Sequence, residues 1–401
     1  MNATTSAQRA RQWTGPALFS YGFRPFFLAG ALYAAIAVGV WVPWYLGAVT
    51  LPTDWPPIAW HAHELLFGYV PAVVAGFLLT AVPNWTGRLP VVGWPLAGLF
   101  AFWLLGRFAI ATSDWFGAAL TAIATLSFLA GLGAVIGREI LAGRNWKNLK
   151  VLIIVVMLFA AQALFQWEVL NDGHSVYGAR LAIATTITLI VLIGGRIVPS
   201  FTGNWLRQRG GQTMPVPFSR FDAIVIAVSV VALAAWIVAP SFEGVAIAAA
   251  PLLLLAGILQ LVRQARWRPL RTFAEPLVTI LHVAYLFVPL GFLLAAVAAA
   301  SESAVPNTAA IHAWTAGAIG TMTLAVMTRA TLGHTGRTLT AGAATVAIYG
   351  LVVLAALTRI GAAVFPSGMD WLLSVSAVAW IGAFAGFSLV YGPLLVRRRG
   401  A

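Results

Sequence analysis

Residues 60–88 read WHAHELLFGYVPAVVAGFLLTAVPNWTGR. From Leu65 to Val82 the run carries no charge. A bilayer core needs about 20 mostly apolar residues of helix, so this run reads as a membrane span. Its ionisable groups sit at the two ends. His61, His63 and Glu64 open it, and Thr86-Gly87-Arg88 closes it.

The rest of the chain follows the same plan. Of 401 residues, 61% are hydrophobic and 9% are charged. Soluble domains carry roughly 25% charged residues, so this is a polytopic membrane protein, all-α in class. Twelve spans can be read, at 25–48, 59–82, 94–112, 115–136, 149–170, 176–199, 221–239, 243–262, 274–299, 307–331, 340–361 and 368–394. Between the third and fourth, only Thr112-Ser113-Asp114 marks a turn. The loops are short, and the whole chain reads as one integral membrane domain, 1–401. The first 25 residues lack a signal-peptide apolar core, so the first helix is expected to stay as an anchor.

The absence of cysteine excludes disulfides, zinc ribbons, iron–sulfur clusters and thiolate copper sites. The net charge of +13 is distributed as a topology signal. The two termini and the even loops hold 20 of the 24 Lys and Arg, and the odd loops and adjoining helix ends hold eight of the 11 acids. Arg263, Arg266, Arg268 and Arg271 are counted there as one inner loop. The positive-inside rule then places both termini in the cytoplasm and the WHAHE segment at the outer end of the second span. No basic face is interleaved with aromatics outside the membrane, so nucleic acid is not an expected partner.

Three spans end alike: VPNWTGR at 82–88, VPSFTGN at 198–204 and LGHTGR at 332–337. His63 and His312 each precede their Thr-Gly by 23 residues, and Gly68 and Gly317 each follow their histidine by five. Spans two, six and ten are four apart. The simplest reading is three repeats of four helices, at 1–140, 141–263 and 264–401, with sites expected at repeat interfaces. Thr-Gly-Arg is either a helix C-cap obeying the charge rule or an anchor for acidic cofactor groups.

Ionisable groups inside spans are costly and mark functional positions. At 1.5 Å per residue, His63 and His312 lie at matching depth, each about 10 Å outside the midplane. If repeat symmetry faces them to one axis, they make a metal or haem site; otherwise each bonds a neighbouring helix. His61 is two residues from His63 and therefore faces the other way on a regular helix. Glu64, three residues after His61, is a candidate acceptor for the His61 ring. HELLF resembles the zinc-protease HExxH, but Phe67 replaces the second histidine and the reading fails. His282, in span nine, is either a ligand of a second centre, part of a proton path or a satisfied buried histidine. His334 is a cap or a ligand, and His174 is expected to be solvated. Arg107 and Arg180 lie at the depth of Glu168, which makes an ion pair or an anion clamp the alternatives. Arg196 and Arg329 offer a similar clamp at the inner face. Met322 and Met327 read as core packing.

The segments WHAHELLFGY, LLTAVPNWTGR, GGRIVPSFT, LHVAYLFVPLG and HAWTAGAIGTMTLAVMTRATLGHTGR resemble the NnrS family over essentially the whole chain. The resemblance implies a multi-pass bacterial inner-membrane protein containing haem of the b type and copper. It implies a role in nitric oxide metabolism and protection against nitrosative stress. It carries histidine motifs onto His61, His63, His282, His312 and His334, and arginine motifs onto Arg196 and Arg329. Neutral imidazole suits both haem iron and copper. Reduction of nitric oxide to nitrous oxide would need protons, with Glu64 the nearest outer carboxylate, and an electron donor. Two other functions fit the same residues: a transporter of a metal or metal–nitrosyl species, and a protein that binds or senses nitric oxide without turnover.

Overall fold

The computed structural model describes residues 12–86, 90–211, 213–301 and 303–398, with the side chains at 84 and 86 left aside. Of the charges counted above, Arg9, Arg11, Arg88, Glu302 and Arg399 lie outside the described residues, as do Gly87 and the Thr86 side chain. The described chain is helical, and twelve helices are long and apolar enough to cross a membrane. They are α1 (Phe23–Tyr45), α2 (Pro57–Pro83), α3 (Trp94–Ala111), α4 (Ser113–Ala142), α5 (Trp146–Asp172) and α6 (Tyr177–Gln208). They continue with α7 (Arg220–Ser241), α8 (Glu243–Arg271), α9 (Pro276–Ala300), α10 (Asn307–Thr335), α11 (Ala343–Val364) and α12 (Pro366–Val396). Large apolar side chains such as Ile123 on α4, Ile247 on α8 and Leu389 on α12 are exposed, as contact with lipid requires.

Local sequence sets the breaks. The expected turn at 112–114 shrinks to Thr112 alone, and α4 begins at once with Ser113. Its first residues are set off by a kink at Gly117, whose φ of +71° costs glycine little. The α5–α6 reversal is built from Gly173, left-handed at φ +74°, and from Glu168. Glu168 accepts from the Tyr177 and Gly178 amides at 2.8 and 2.9 Å and from the Ser175 hydroxyl at 2.5 Å. A carboxylate on the free amides that open a helix is favourable. This corrects the expectation that Glu168 pairs with Arg107 or Arg180: helix-end amides and a hydroxyl take it instead.

The chain forms two compact units. One comprises 1–182, 330–337 and 384–401; the other comprises 183–329 and 338–383. In the first unit α1 packs on α2, α3 on α4 and α4 on α5. In the second, α7, α8 and α9 pack in series, and α9 and α11 pack on α10.

Helices α2, α6 and α10 stand apart in two respects. In their apolar windows 83%, 67% and 67% of residues are buried within the protein, against 28–56% in the other nine. Each also widens into a π-helical segment, at Glu64–Tyr69, Ile190–Gly194 and Ala313–Gly320. π-Segments are rare and often accompany functional sites. Both features recur at the four-helix interval that the Thr-Gly motifs mark.

Candidate functional site

In the first unit the polar centre grows from the start of α2. Pro57 occupies the first helical turn, where its missing N–H costs nothing. Six residues later the helix passes into its π-segment, with His63 and Glu64 at the junction and both fully buried. His63 Nδ1 lies 2.7 Å from Glu64 Oε1. Arg107 of α3 donates to the same oxygen at 2.7 Å, and the Tyr33 hydroxyl of α1 donates to Oε2. Removing a carboxylate from water costs several kcal/mol, of order, unless donors replace the water. Three donors do so here.

Gly68 makes this approach possible, because a Cβ there would strike the Arg107 guanidinium. The indole N–H of Trp103 donates to the Gly68 carbonyl at 2.8 Å, supporting backbone inside the π-segment. Trp55, Phe67 and Phe165 wall the His63 ring, with centroids 4.9, 5.3 and 5.7 Å away.

The hydrogen bonds fix the form of His63. A carboxylate can only accept, so Nδ1 carries a proton and, in the neutral ring, Nε2 carries the lone pair. Two amide nitrogens of α5, Gln162 Nε2 and Gln166 Nε2, lie 3.3 and 3.4 Å from it. Both contacts are longer than a good N–H···N bond, and both amides have other acceptors. Gln162 donates to the Thr125 carbonyl at 3.2 Å and Gln166 to the Thr125 hydroxyl at 2.9 Å. The Nε2 lone pair is thus loosely covered.

The second unit has its own polar centre. Arg263 of α8 is fully buried and paired with Asp222 at 3.1 Å. It also donates to the Val191 carbonyl, within the π-segment of α6, at 3.1 Å and to the Tyr285 hydroxyl at 3.0 Å. Gly195 lies against its guanidinium, and any side chain there would collide with it. Tyr285 donates to Gln260 at 2.7 Å, and Gln260 to Ser229 at 2.8 Å. Arg263 was assigned to an inner loop by charge count; the structure corrects this to a buried position, because the helix continues to Ala265 and Arg263 lies inside it, paired with Asp222. His282 of α9 stands outside that network, its Nε2 2.8 Å from the Thr202 hydroxyl and its backbone carbonyl accepting from Gln264 at 2.6 Å.

The other expected residues fall as follows. His61 stacks on Trp41 at 3.9 Å between ring centroids, on a different side from His63. Glu64 was expected to hold the His61 ring; it holds His63. His312, half-buried in the second unit, donates through Nδ1 to the Thr308 carbonyl one turn back in its own helix, at 2.8 Å. His334 packs on the rings of Tyr21 and Phe23. Arg329 stacks 4.0 Å from the Phe201 centroid, and Arg196 is exposed. Met322 and Met327 are buried, and His174 is exposed.

Sequence reasoning missed Tyr33, Gln162, Gln166, Asp222, Gln260 and Gln264. A signal was present for the glutamines. Gln162 with Gln166, and Gln260 with Gln264, stand four apart in apolar spans and therefore share a helix face.

The resemblance implies haem and copper, and the donors test that fit. Among the described residues no three His, Cys, Asp or Glu side chains gather at one point. A cage of three such ligands is therefore not formed there. Haem iron needs only one or two axial ligands. His63 offers one such nitrogen: its Nδ1–H on a carboxylate is the arrangement that orients metal-bound histidines, and its Nε2, met by the Gln162 and Gln166 amides at 3.3 and 3.4 Å, would have to exchange those contacts for iron.

Comparison with curated proteins yields no match. The family model described as NnrS protein matches residues 17–399, almost the whole chain. With its twelve apolar helices, this multi-pass membrane protein belongs to the NnrS family.

Proposed function

We propose that this protein carries haem and copper in the bacterial inner membrane and acts on nitric oxide, as protection against nitrosative stress. The observation that carries this reading is the buried His63–Glu64 pair, which holds a neutral imidazole in one tautomer inside an apolar bundle. Nitric oxide is small, uncharged and lipid-soluble, so it reaches such a site without a polar channel. Haem iron, when bound, supplies a site for nitric oxide, and copper supplies a one-electron partner.

The protein's own groups have definite tasks in this reading. Glu64 orients His63 and raises the basicity of its Nε2. Arg107 and Tyr33 hold Glu64 in place. Both Glu64 oxygens already accept from donors, which suits a positioning role better than the proton delivery first expected of it. Trp55, Phe67 and Phe165 exclude water around the ring. Reduction of two nitric oxide molecules to nitrous oxide and water consumes two electrons and two protons, so turnover calls for an external electron donor.

The test is the absorption spectrum and metal content of the purified protein. A Soret band is expected, with copper present, and His63→Ala should remove most of the haem. A wild-type protein with neither Soret band nor copper would sink the proposal. Steady nitrous oxide production from nitric oxide and a reductant separates turnover from simple binding.

A further inference from the structure

Two turns of the chain, one in each unit, share a pattern. In the first unit the helix of α4 ends at Ala142, and Arg144 follows in the left-handed region at φ +48°. In the second the helix of α8 ends at Ala265, and Arg268 follows at φ +63°. Among the described residues these are the two non-glycine residues with positive φ. Glycine takes that conformation at little cost, and asparagine is the usual alternative. Backbone preference therefore does not explain an arginine at both points.

The residues that follow match place by place. A short 3-10 helical turn comes next, at Trp146–Asn148 and at Pro269–Arg271. Two places after each left-handed arginine stands a large apolar side chain, Trp146 or Leu270, 61% and 76% exposed. Three places after it stands a second cation, Lys147 or Arg271, and all four cations are exposed. The turns are held by their own backbone. The Asn145 amide donates to the Ile140 carbonyl at 3.1 Å, and the Arg271 amide to the Arg268 carbonyl at 3.1 Å. Trp267, buried beneath the second turn, packs edge-on against Tyr285. The two turns stand four helices apart, the interval that the Thr-Gly motifs also mark.

The acids at these helix ends are already engaged. Glu139 pairs with Arg138 at 2.8 Å, and Asp222 with Arg263 and Arg266 at 3.1 and 3.2 Å. Glu275 accepts from the Leu277 and Ala341 amides at 3.1 and 3.2 Å. Among the described residues, Arg144, Lys147, Arg268 and Arg271 have no carboxylate partner. One turn follows four spans and the other eight, so both lie where a helix leaves the hydrocarbon, on the side of the N-terminus. Cations beside a membrane surface attract anionic headgroups, and bulky apolar side chains there lie against the acyl chains.

We propose that each turn binds an anionic phospholipid, with the phosphate between the left-handed arginine and the second cation and an acyl chain against Trp146 or Leu270. The exposed apolar side chain between the cations favours a lipid over a free phosphate or an acidic peptide. A zwitterionic headgroup brings its own cation and gains less. This assignment is independent of the haem and copper reading.

The experiment uses the full-length protein in detergent, with phosphatidylglycerol and phosphatidylcholine as probes and native mass spectrometry to count bound lipid. The wild type should hold phosphatidylglycerol more tightly than phosphatidylcholine. Arg144→Gly with Lys147→Gln should weaken one phosphatidylglycerol site about 25-fold, roughly fivefold for each cation removed, and Arg268→Gly with Arg271→Gln should weaken another equally. Glycine suits the left-handed backbone, so these variants should keep their thermal midpoint in phosphatidylcholine. Should a paired variant fail to fold, Arg144→Gly and Arg268→Gly alone carry the test. Trp146→Ser and Leu270→Ser should also weaken phosphatidylglycerol binding, with no change of charge. Arg207→Gln with Arg209→Gln removes the same charge from another exposed stretch and should leave both sites intact. An equal loss in that control would mean that only net charge matters and would overturn the proposal. Equal affinity of the wild type for the two lipids would overturn it as well.

Discussion

At the scale of single residues, the Glu64 carboxylate organises the first unit. It accepts from His63, Arg107 and Tyr33 on three different helices or positions, with no water exposure. Removing one partner of a buried pair typically costs about 3–5 kcal/mol, because the other charge is left uncompensated. Arg107→Met should therefore lower the thermal midpoint in detergent markedly. Adding Glu64→Gln to it should recover part of the loss, since the stranded charge goes with it. A double variant as unstable as the sum of both singles would refute the pairing as the dominant interaction. None of this was legible in order of residues. His63 and Glu64 were visible as ionisable groups in a span, but nothing in the spacing says that Arg107, 43 positions on, aims at Glu64.

Helices show a different balance. Their number and approximate limits follow from hydropathy, because lipid enforces a run of about 20 apolar residues. Their internal register does not. The π-segments of α2, α6 and α10 contain ordinary apolar residues, and their presence depends on what packs beside them. In α2 the register brings Gly68 under Arg107, and in α10 it brings Gly317 under Phe287. Gly68→Ala should cost about 1–3 kcal/mol through forced displacement of Arg107, as overpacked cores do. Gly98→Ala, where an added methyl meets open space, is the control. The prediction is checked by thermal unfolding of the two variants side by side; equal midpoints would show that Arg107 yields without cost. Gly68 and Gly317 were noticed in the sequence as equivalent positions, and close approach is the physical reason each is glycine here.

For the molecule as a whole, the charge ledger makes a prediction of orientation. With an even number of crossings and the basic residues on alternate loops, we propose that both termini face the cytoplasm. Reporter fusions that act on only one side of the membrane should report cytoplasm at the C-terminus and at 209–220, and the outer side at 172–176. Opposite signals at the C-terminus and 209–220 would break the twelve-crossing scheme. The same ledger misplaced Arg263, because counting assumes that a cation near a helix end reaches water. Asp222 removes that need by offering a buried partner at 3.1 Å.

The sequence by itself determined the membrane class, the twelve spans, the family and the short roll of histidines in or beside the spans. These follow from composition and from motifs, which are properties of single segments. Only the tertiary structure decided which atoms of those histidines are available. A ring nitrogen is free or engaged according to a donor or acceptor on another helix: Glu64 settles His63 from the next position only because Arg107 and Tyr33 hold it, and Thr202 engages His282 Nε2 from 80 residues away. Buried hydrogen bonds are made one to one, so the partner, and not the residue type, fixes the chemistry.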